Sequence, residues 1–245
     1  MIGIIDSGLG GIVTLNHIVK YFKDTSFVCV ADQANAPYGE KSVEELEVIA
    51  RKHLLWFKER NIDTVLVACN TLCSTVVEKL QKEFDDMRII DIISLTCEAM
   101  KNEDIHNILL LATKRSIESK VYEKYLTSMF DCTVYPVVAS KWVPAIEGNV
   151  SKEEMMSLVE EYVGEYRGKV DAVLLGCTHY PLIKDMIDEV LSCKIYDSCE
   201  AVLSSLYHEN DKNASVCIYT SGDPALTAVQ VKELLNQDFV IKKLK

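Results

Sequence analysis

Short runs of β-branched and aliphatic residues recur along the chain and alternate with longer stretches whose apolar positions follow a helical period. Short runs bounded by turn residues read as strands, and stretches with an apolar residue every three or four positions read as amphipathic helices. On this basis strands are expected at 2–5, 26–31, 64–68, 88–90, 107–112, 133–137, 172–175, 194–196 and 215–219. Such regular alternation is the βαβ pattern of parallel sheets covered on both faces, so the fold class is α/β. Ser42 with Glu45, and Ser151 with Glu154, have the capping-box spacing that opens a helix. No stretch rich in Pro, Gly or Ser marks a linker, so any domain division is crossed by short, structured connections.

One segment is nearly repeated half a chain later. Asp63-Thr-Val-Leu-Val-Ala-Cys69-Asn-Thr is echoed by Asp171-Ala-Val-Leu-Leu-Gly-Cys177-Thr-His: an acidic residue, an apolar strand, a small residue, a cysteine and two polar residues. The echo predicts two related α/β lobes, each carrying a cysteine at the carboxyl end of a strand, where open parallel sheets bind ligands. Two ordinary strands that end in buried cysteine would look similar. A cysteine followed by two hydrogen-bonding residues, however, is leaving the core.

Composition narrows the function. With 245 residues and 49% hydrophobic content the chain can bury a core of one large α/β unit or two paired small ones. Twenty-six Lys and Arg against thirty-seven Asp and Glu give a net charge of −11, which leaves no positive field for a nucleic-acid backbone. The opening MIGIID lacks a basic leader, and no apolar run approaches the ~18 residues of a membrane span. The expectation is a soluble, cytoplasmic protein with no membrane partner. Nine cysteines at irregular spacing, several inside apolar runs, fit reduced thiols better than a disulfide framework.

The first strand runs into Asp6-Ser7-Gly8-Leu9-Gly10-Gly11, a turn whose glycines are expected to free backbone N–H groups near a helix N-terminus for an anion. A dinucleotide fits poorly: the third glycine of G-x-G-x-x-G is absent, no phosphate-binding G-x-x-x-x-G-K-[ST] occurs, and Asp6 would repel a pyrophosphate. A carboxylate ligand that also bears an ammonium fits better, with Asp6 taking the positive charge or acting on a proton. Pro37-Tyr38-Gly39 follows the second strand and reads either as a turn or as part of a site.

Cys69 and Cys177 each precede an expected helix start, an environment that favours thiolate. His179, two residues after Cys177, suits proton handling, and Pro181 suits a first helical turn. Cys69, Cys73, Cys177 and His179 include soft metal ligands, but C-x₃-C and C-x-H do not match structural zinc spacings, so no metal is expected. Cys73, one turn after Cys69, reads as helix packing. Two thiols from related lobes suit a reaction that is itself nearly symmetric. Taking a proton from one face of a carbon and returning one to the other needs two acid/base groups, whereas a thiol hydrolase needs one nucleophile. The duplication therefore favours racemisation or epimerisation.

These residues resemble the glutamate racemases, the cofactor-independent branch of the aspartate/glutamate racemase superfamily. The motifs are Asp-Ser-Gly-Leu-Gly-Gly at 6–11, Pro-Tyr-Gly at 37–39, Ala-Cys-Asn-Thr at 68–71 and Gly-Cys-Thr-His-Tyr-Pro at 176–181, in the family's order and spacing over nearly the whole chain. The resemblance implies two pseudo-symmetric flavodoxin-like lobes with the substrate between them, 1–92 with 207–245 forming one and 93–206 the other. It implies interconversion of L- and D-glutamate with no cofactor. Cys69 would act on D-glutamate assisted by Asp6, and Cys177 on L-glutamate assisted by His179, with Glu147 of Trp142-Val-Pro-Ala-Ile-Glu147 polarising the histidine. Asp6, Ser7, Pro37, Tyr38, Gly39, Asn70, Thr71, Thr113, Ser116, Thr178 and His179 would bind the substrate. The implied biology is D-glutamate supply for peptidoglycan. A homodimer is expected separately, as the commonest assembly. Two departures stand out: Ala112-Thr113-Lys114-Arg115-Ser116 replaces the usual Gly-Thr-x-x-Thr, and Ala34-Asn35-Ala36 replaces the basic residue often found before Pro-Tyr-Gly. Competing readings are a racemase of another small acid such as aspartate, a decarboxylase using one cysteine, and a non-catalytic amino-acid-binding regulator.

Overall fold

The apolar runs become strands in the computed structural model, which describes residues 1–101 and 103–245. The first half runs β1 (Ile2–Asp6), α1 (Leu9–Ile18), β2 (Phe27–Ala31), α2 (Val43–Lys58), β3 (Thr64–Val67), α3 (Asn70–Cys73), α4 (Val77–Glu83), β4 (Arg88–Asp91) and α5 (Ile92–Glu98). Next come β5 (Asn107–Ala112), α6 (Lys114–Glu118), α7 (Val121–Met129), β6 (Thr133–Val138), α8 (Trp142–Glu147), α9 (Lys152–Val163), β7 (Ala172–Gly176), α10 (Lys184–Leu191), β8 (Lys194–Asp197) and α11 (Ser198–Ala201). The described chain closes with β9 (Val216–Thr220), α12 (Pro224–Leu235) and β10 (Val240–Lys243). Each strand expected from the sequence forms, with ends displaced by at most one residue. β10 was not expected. Only its Ile241 is even half-buried and two of its four residues are lysines, so this edge strand carries almost no apolar signal.

The strands form two parallel sheets, one of order β10-β9-β2-β1-β3-β4 and one of order β6-β5-β7-β8. Taken in chain order, β1 to β4 and β5 to β8 have the same arrangement, second-first-third-fourth, which is the beginning of the flavodoxin-type order. The chain leaves β1 to one side and returns on the other, so a crevice opens at the carboxyl ends of β1 and β3; β5 and β7 repeat it. β1 and β2 are buried along their whole lengths, as strands covered on both faces must be.

The two sheets also share a core. Ile108, Leu110 and Ala112 of β5, with Ala172 and Leu174 of β7, pack into the same apolar cluster as Ile4, Leu66 and Val67 of the first sheet. The alternate residues Leu109, Leu111, Val173 and Leu175 face a second cluster with Trp142, Val159 and Ile187. No helix among the described residues is long and apolar enough to cross a membrane.

Local signals open the helices where expected. Ser42 Oγ accepts the Glu45 N–H at 3.2 Å while Glu45 Oε2 accepts the Ser42 N–H at 2.8 Å, and Ser151 Oγ accepts the Glu154 N–H at 3.1 Å. Ser42→Ala breaks the reciprocal pair at the start of α2 and is expected to cost about 1 kcal/mol, read as a lower urea midpoint with unchanged slope.

Candidate functional site

The two crevices bring the motifs together. Asp6 ends β1, and Cys69 follows β3 as the residue that caps α3. In the second sheet Thr113 follows β5, and Cys177 follows β7. The repeated topology thus gives the cysteines equivalent stations. Asp6, Cys69, Asn70, Thr71, Ser116, Cys177, Thr178 and His179 are all buried.

Cys69 stands over the first turn of α3. Burial, then the negative charge of Asp6, pushes its thiol up to about 12, against the opposing pull of the Leu72 and Thr71 backbone amides. Cys69 is therefore held as a thiol. Asp6 is itself raised by burial, although the His179 charge, the Gly8 and Gly11 amides and Thr178 all favour the carboxylate. Its Oδ1 accepts the Gly8 N–H at 2.9 Å. That bond corrects the expectation that the glycine-rich turn keeps its amides free for an external anion: Asp6 folds back and occupies one. Ser7 is half-buried beside it.

On the other side, Cys177 Sγ lies 3.9 Å from His179 Nδ1, and His179 Nε2 lies 2.8 Å from Glu147 Oε1. Burial alone would lower the imidazole, yet the contacts with Cys177 and Glu147 overcome it and raise His179 to about 10. Packing explains how Glu147 arrives there. Trp142 stacks edge-on against Tyr180 with centroids 4.9 Å apart and donates from Nε1 to Leu158 O, and the Tyr180 hydroxyl donates to Ala139 O. The residue after His179 thereby anchors the helix that ends in Glu147. Tyr180–Ile183 form a 3₁₀ turn with Pro181 near its start, so the regular helix expected directly after Cys177 begins only at Lys184.

The two halves approach each other closely at Thr178. Thr178 Oγ1 donates to Asp6 Oδ2 at 3.4 Å. A Cβ on Gly10 would lie 1.9 Å from Thr178 Oγ1 and 2.9 Å from His179 Cε1, so only glycine lets α1 come so near. Hydroxyls continue the contact: Thr71 Oγ1 is 3.3 Å from Thr113 Oγ1, which is 3.0 Å from Ser116 Oγ. Arg115 of the altered loop donates to Lys41 O at 2.7 Å, tying α6 to the segment after Pro-Tyr-Gly.

Pro-Tyr-Gly is organised by residues to which sequence reasoning gave no role. The Tyr38 hydroxyl donates to Asp32 Oδ2 at 2.7 Å, and Asp32 also accepts from Asn35 Nδ2 and lies 3.1 Å from His53 Nε2. Burial works against it, but the nearby His53 and Ser221 and the Tyr38 hydroxyl hold the Asp32 carboxyl well below the usual range. The Tyr38 hydroxyl is therefore committed to Asp32. The available signal was His53, a polar residue on the buried stripe of α2 between Ala50 and Phe57. Pro37 is exposed, joined to Ala36 by a cis peptide, and a methyl built on Gly39 would meet open space.

Cys73 donates to Val67 O at 3.1 Å, as packing requires, and also faces a cavity of about 500 Å³ lined by Ser74, Thr75, Glu78, Asp91 and Tyr125. None of Asp6, Cys69, Cys177 and His179 lines that cavity. Among the described residues, no group of three or more His, Cys, Asp or Glu side chains is placed to hold a metal ion.

Because His179 in the folded chain titrates near 10, above the imidazole's usual 6.5, its proton stabilises the fold fully below about 6.5, and that contribution is lost as pH rises through about 10. Urea midpoints are expected to fall across this window, and Glu147→Gln should flatten the fall; an unchanged profile in the variant would refute the ion pair. Gly10→Ala is expected to cost about 1–3 kcal/mol by driving a methyl into Thr178, measured by the same titration.

With this geometry in place, known proteins supply the family. The Asp/Glu/Hydantoin racemase family pattern matches residues 2–206. A glutamate racemase from Aquifex pyrophilus is 31% identical over 247 positions, covering 98% of this chain and 96% of the relative. A solved glutamate racemase from Aquifex pyrophilus superposes with a TM-score of 0.83 at 30% identity, covering 99% of this chain and 97% of the other. The fold also matches a glutamate racemase from Francisella tularensis subsp. tularensis SCHU S4 in complex with D-glutamate, with a TM-score of 0.90 at 24% identity over 100% and 97% of the two chains. The repeated strand ends, the two thiols they carry and these likenesses lead to one conclusion: the chain belongs to the Asp/Glu/Hydantoin racemase family.

Proposed function

We propose that this chain interconverts L- and D-glutamate by proton transfer at Cα, with Cys177 and Cys69 working opposite faces. The observation that carries this reading is the equivalence of the two thiols: each follows the third strand of a repeated unit, and the units meet through Thr178 and Asp6. From L-glutamate, Cys177 takes the α-proton while Cys69 delivers its own to the other face; from D-glutamate the roles reverse. The charges of the site suit the first direction, with His179 cationic beside Cys177 and the Cys69 proton retained by burial and Asp6.

A proton α to a carboxylate is a weak acid, so the negative charge that develops on that carboxylate must be met by fixed donors in a site without water. Asn70, Thr71, Thr113, Ser116 and Thr178 are the hydroxyl and amide groups at hand, with Ser7 and the backbone of the Pro37–Gly39 turn beside them. The substrate ammonium, placed against Asp6, would bring down the Cys69 thiol that burial has raised, so that the base is activated by the ligand it acts on. Glu147 and Asp6 do not take the α-proton in this scheme; they hold the charges of His179 and of the substrate. Asp6, Cys69, Cys177 and His179 are all buried, so substrate enters only when the two sheets part.

Glutamate is favoured over aspartate because a histidine, not a carboxylate, follows the second cysteine, and because the relatives named above are glutamate racemases. We propose that the product feeds peptidoglycan synthesis in the cytoplasm and that the chain works as a homodimer. We divide the chain into 1–92 with 207–245 and 93–206, a division supported by β9 and β10 joining the first sheet.

In D₂O without added cofactor, L-glutamate is expected to lose its α-proton signal as optical rotation decays. Cys69→Ser and Cys177→Ser are each expected to abolish inversion and leave the circular-dichroism spectrum unchanged. Near-normal turnover in either variant would exclude the two-base scheme, and no exchange by the unaltered chain would exclude glutamate as substrate.

A further inference from the structure

Tyr122 belongs to neither cysteine motif, yet it touches both. It lies in the first turn of α7, beside the second sheet, and is 1% exposed. Its hydroxyl donates to Oδ1 of Asn70, the residue after Cys69. Its ring closes over the residue before Cys177: a Cβ on Gly176 would come within 3.1 Å of Tyr122 Cε2 and 2.8 Å of Ala112 Cβ. The ring is thus wedged in a space that only glycine leaves, and its hydroxyl points across to α3 in a fixed direction.

The consequence falls on Asn70. A side-chain amide has one acceptor and one donor end, and a bond to the acceptor decides where the donor points. Asn70 is 3% exposed, and its Nδ2 has no hydrogen-bond partner. Buried donors are rarely left unpaired unless a ligand completes them. Resting on the racemase reading above, we propose that Tyr122 is the positioning residue that orients the Asn70 amide, so that its N–H is presented to a substrate oxygen beside Cys69.

Tyr122→Phe keeps the ring against Gly176 and removes only the hydroxyl. The expected result is a fall in kcat/KM of about ten-fold in both the L-to-D and D-to-L directions with the thermal midpoint little changed, the size of one lost hydrogen bond to a charged group. A tyrosine that only filled space would do the reverse, leaving kcat/KM at the unaltered chain's value. The decisive comparison is Asn70→Ala with and without Tyr122→Phe. If Tyr122 acts through Asn70, the double variant is no slower than Asn70→Ala alone; losses that multiply overturn the proposal. Should Tyr122→Phe fail to fold, Asn70→Asp retains the acceptor and removes the donor, and unimpaired kcat/KM there also overturns it. An unaltered chain that does not racemise glutamate refutes the function itself, whereas an active one with unimpaired Tyr122→Phe refutes only the role of Tyr122.

Discussion

Burial is the constraint on which everything else depends. Asp6, Cys69, Cys177 and His179 lie within a few per cent of full enclosure, where an unpaired charge is expensive. Each group meets that cost differently. Asp6 turns back onto the amide of Gly8, His179 takes Glu147 behind it and Cys177 beside it, and Cys69 keeps its proton. The result is electrostatically uneven although the backbone around it is nearly symmetric. One thiol stands beside the cationic His179 and the other beside the Asp6 carboxyl group.

Topology puts these groups within reach of one another. A parallel sheet whose chain reverses its direction of growth leaves a crevice at the carboxyl ends of the strands on either side. Here that crevice occurs twice and the two are set mouth to mouth, with no linker, over a shared apolar core to which both sheets contribute alternate residues. Gly10 sets how closely they can come together. An arrangement of this kind needs no unusual backbone at the cysteines: Cys69 has extended dihedrals, and the chain simply passes from strand to helix.

The apolar runs were long and regular enough to place nine strands almost to the residue, and the echo between the two cysteine segments was enough to anticipate the repeated unit. Candidate site residues within those motifs could be singled out because short-range context marks them: a glycine-rich turn, a cysteine before a helix, a histidine two residues on. Glu147 was legible only through resemblance, since nothing local says that its helix is anchored by Trp142 on Tyr180. Asp32 and His53 were missed because their relation exists only after β2 and α2 pack together. Arg115, in the loop whose Ala112 and Ser116 depart from the family's pattern, reaches a carbonyl 74 residues away. The free amides expected in the glycine-rich turn were a fair reading of its composition, but Asp6 competes for them within its own loop.

The placement of β9 has a consequence for how the molecule comes into being. Phe27 to Ala31 pair with Val216 to Thr220, so the outer edge of β2 finds its partner only when nearly the whole chain is available. Contacts of such long sequence separation are slow to form, and an unpaired edge of Phe-Val-Cys-Val-Ala is a template for pairing with another chain. During synthesis on a ribosome, the sheet that carries Asp6 and Cys69 stays open on one side while the sheet that carries Cys177 can already close. Cys69, although it precedes Cys177 in the chain, would then be the later of the two to reach its finished surroundings.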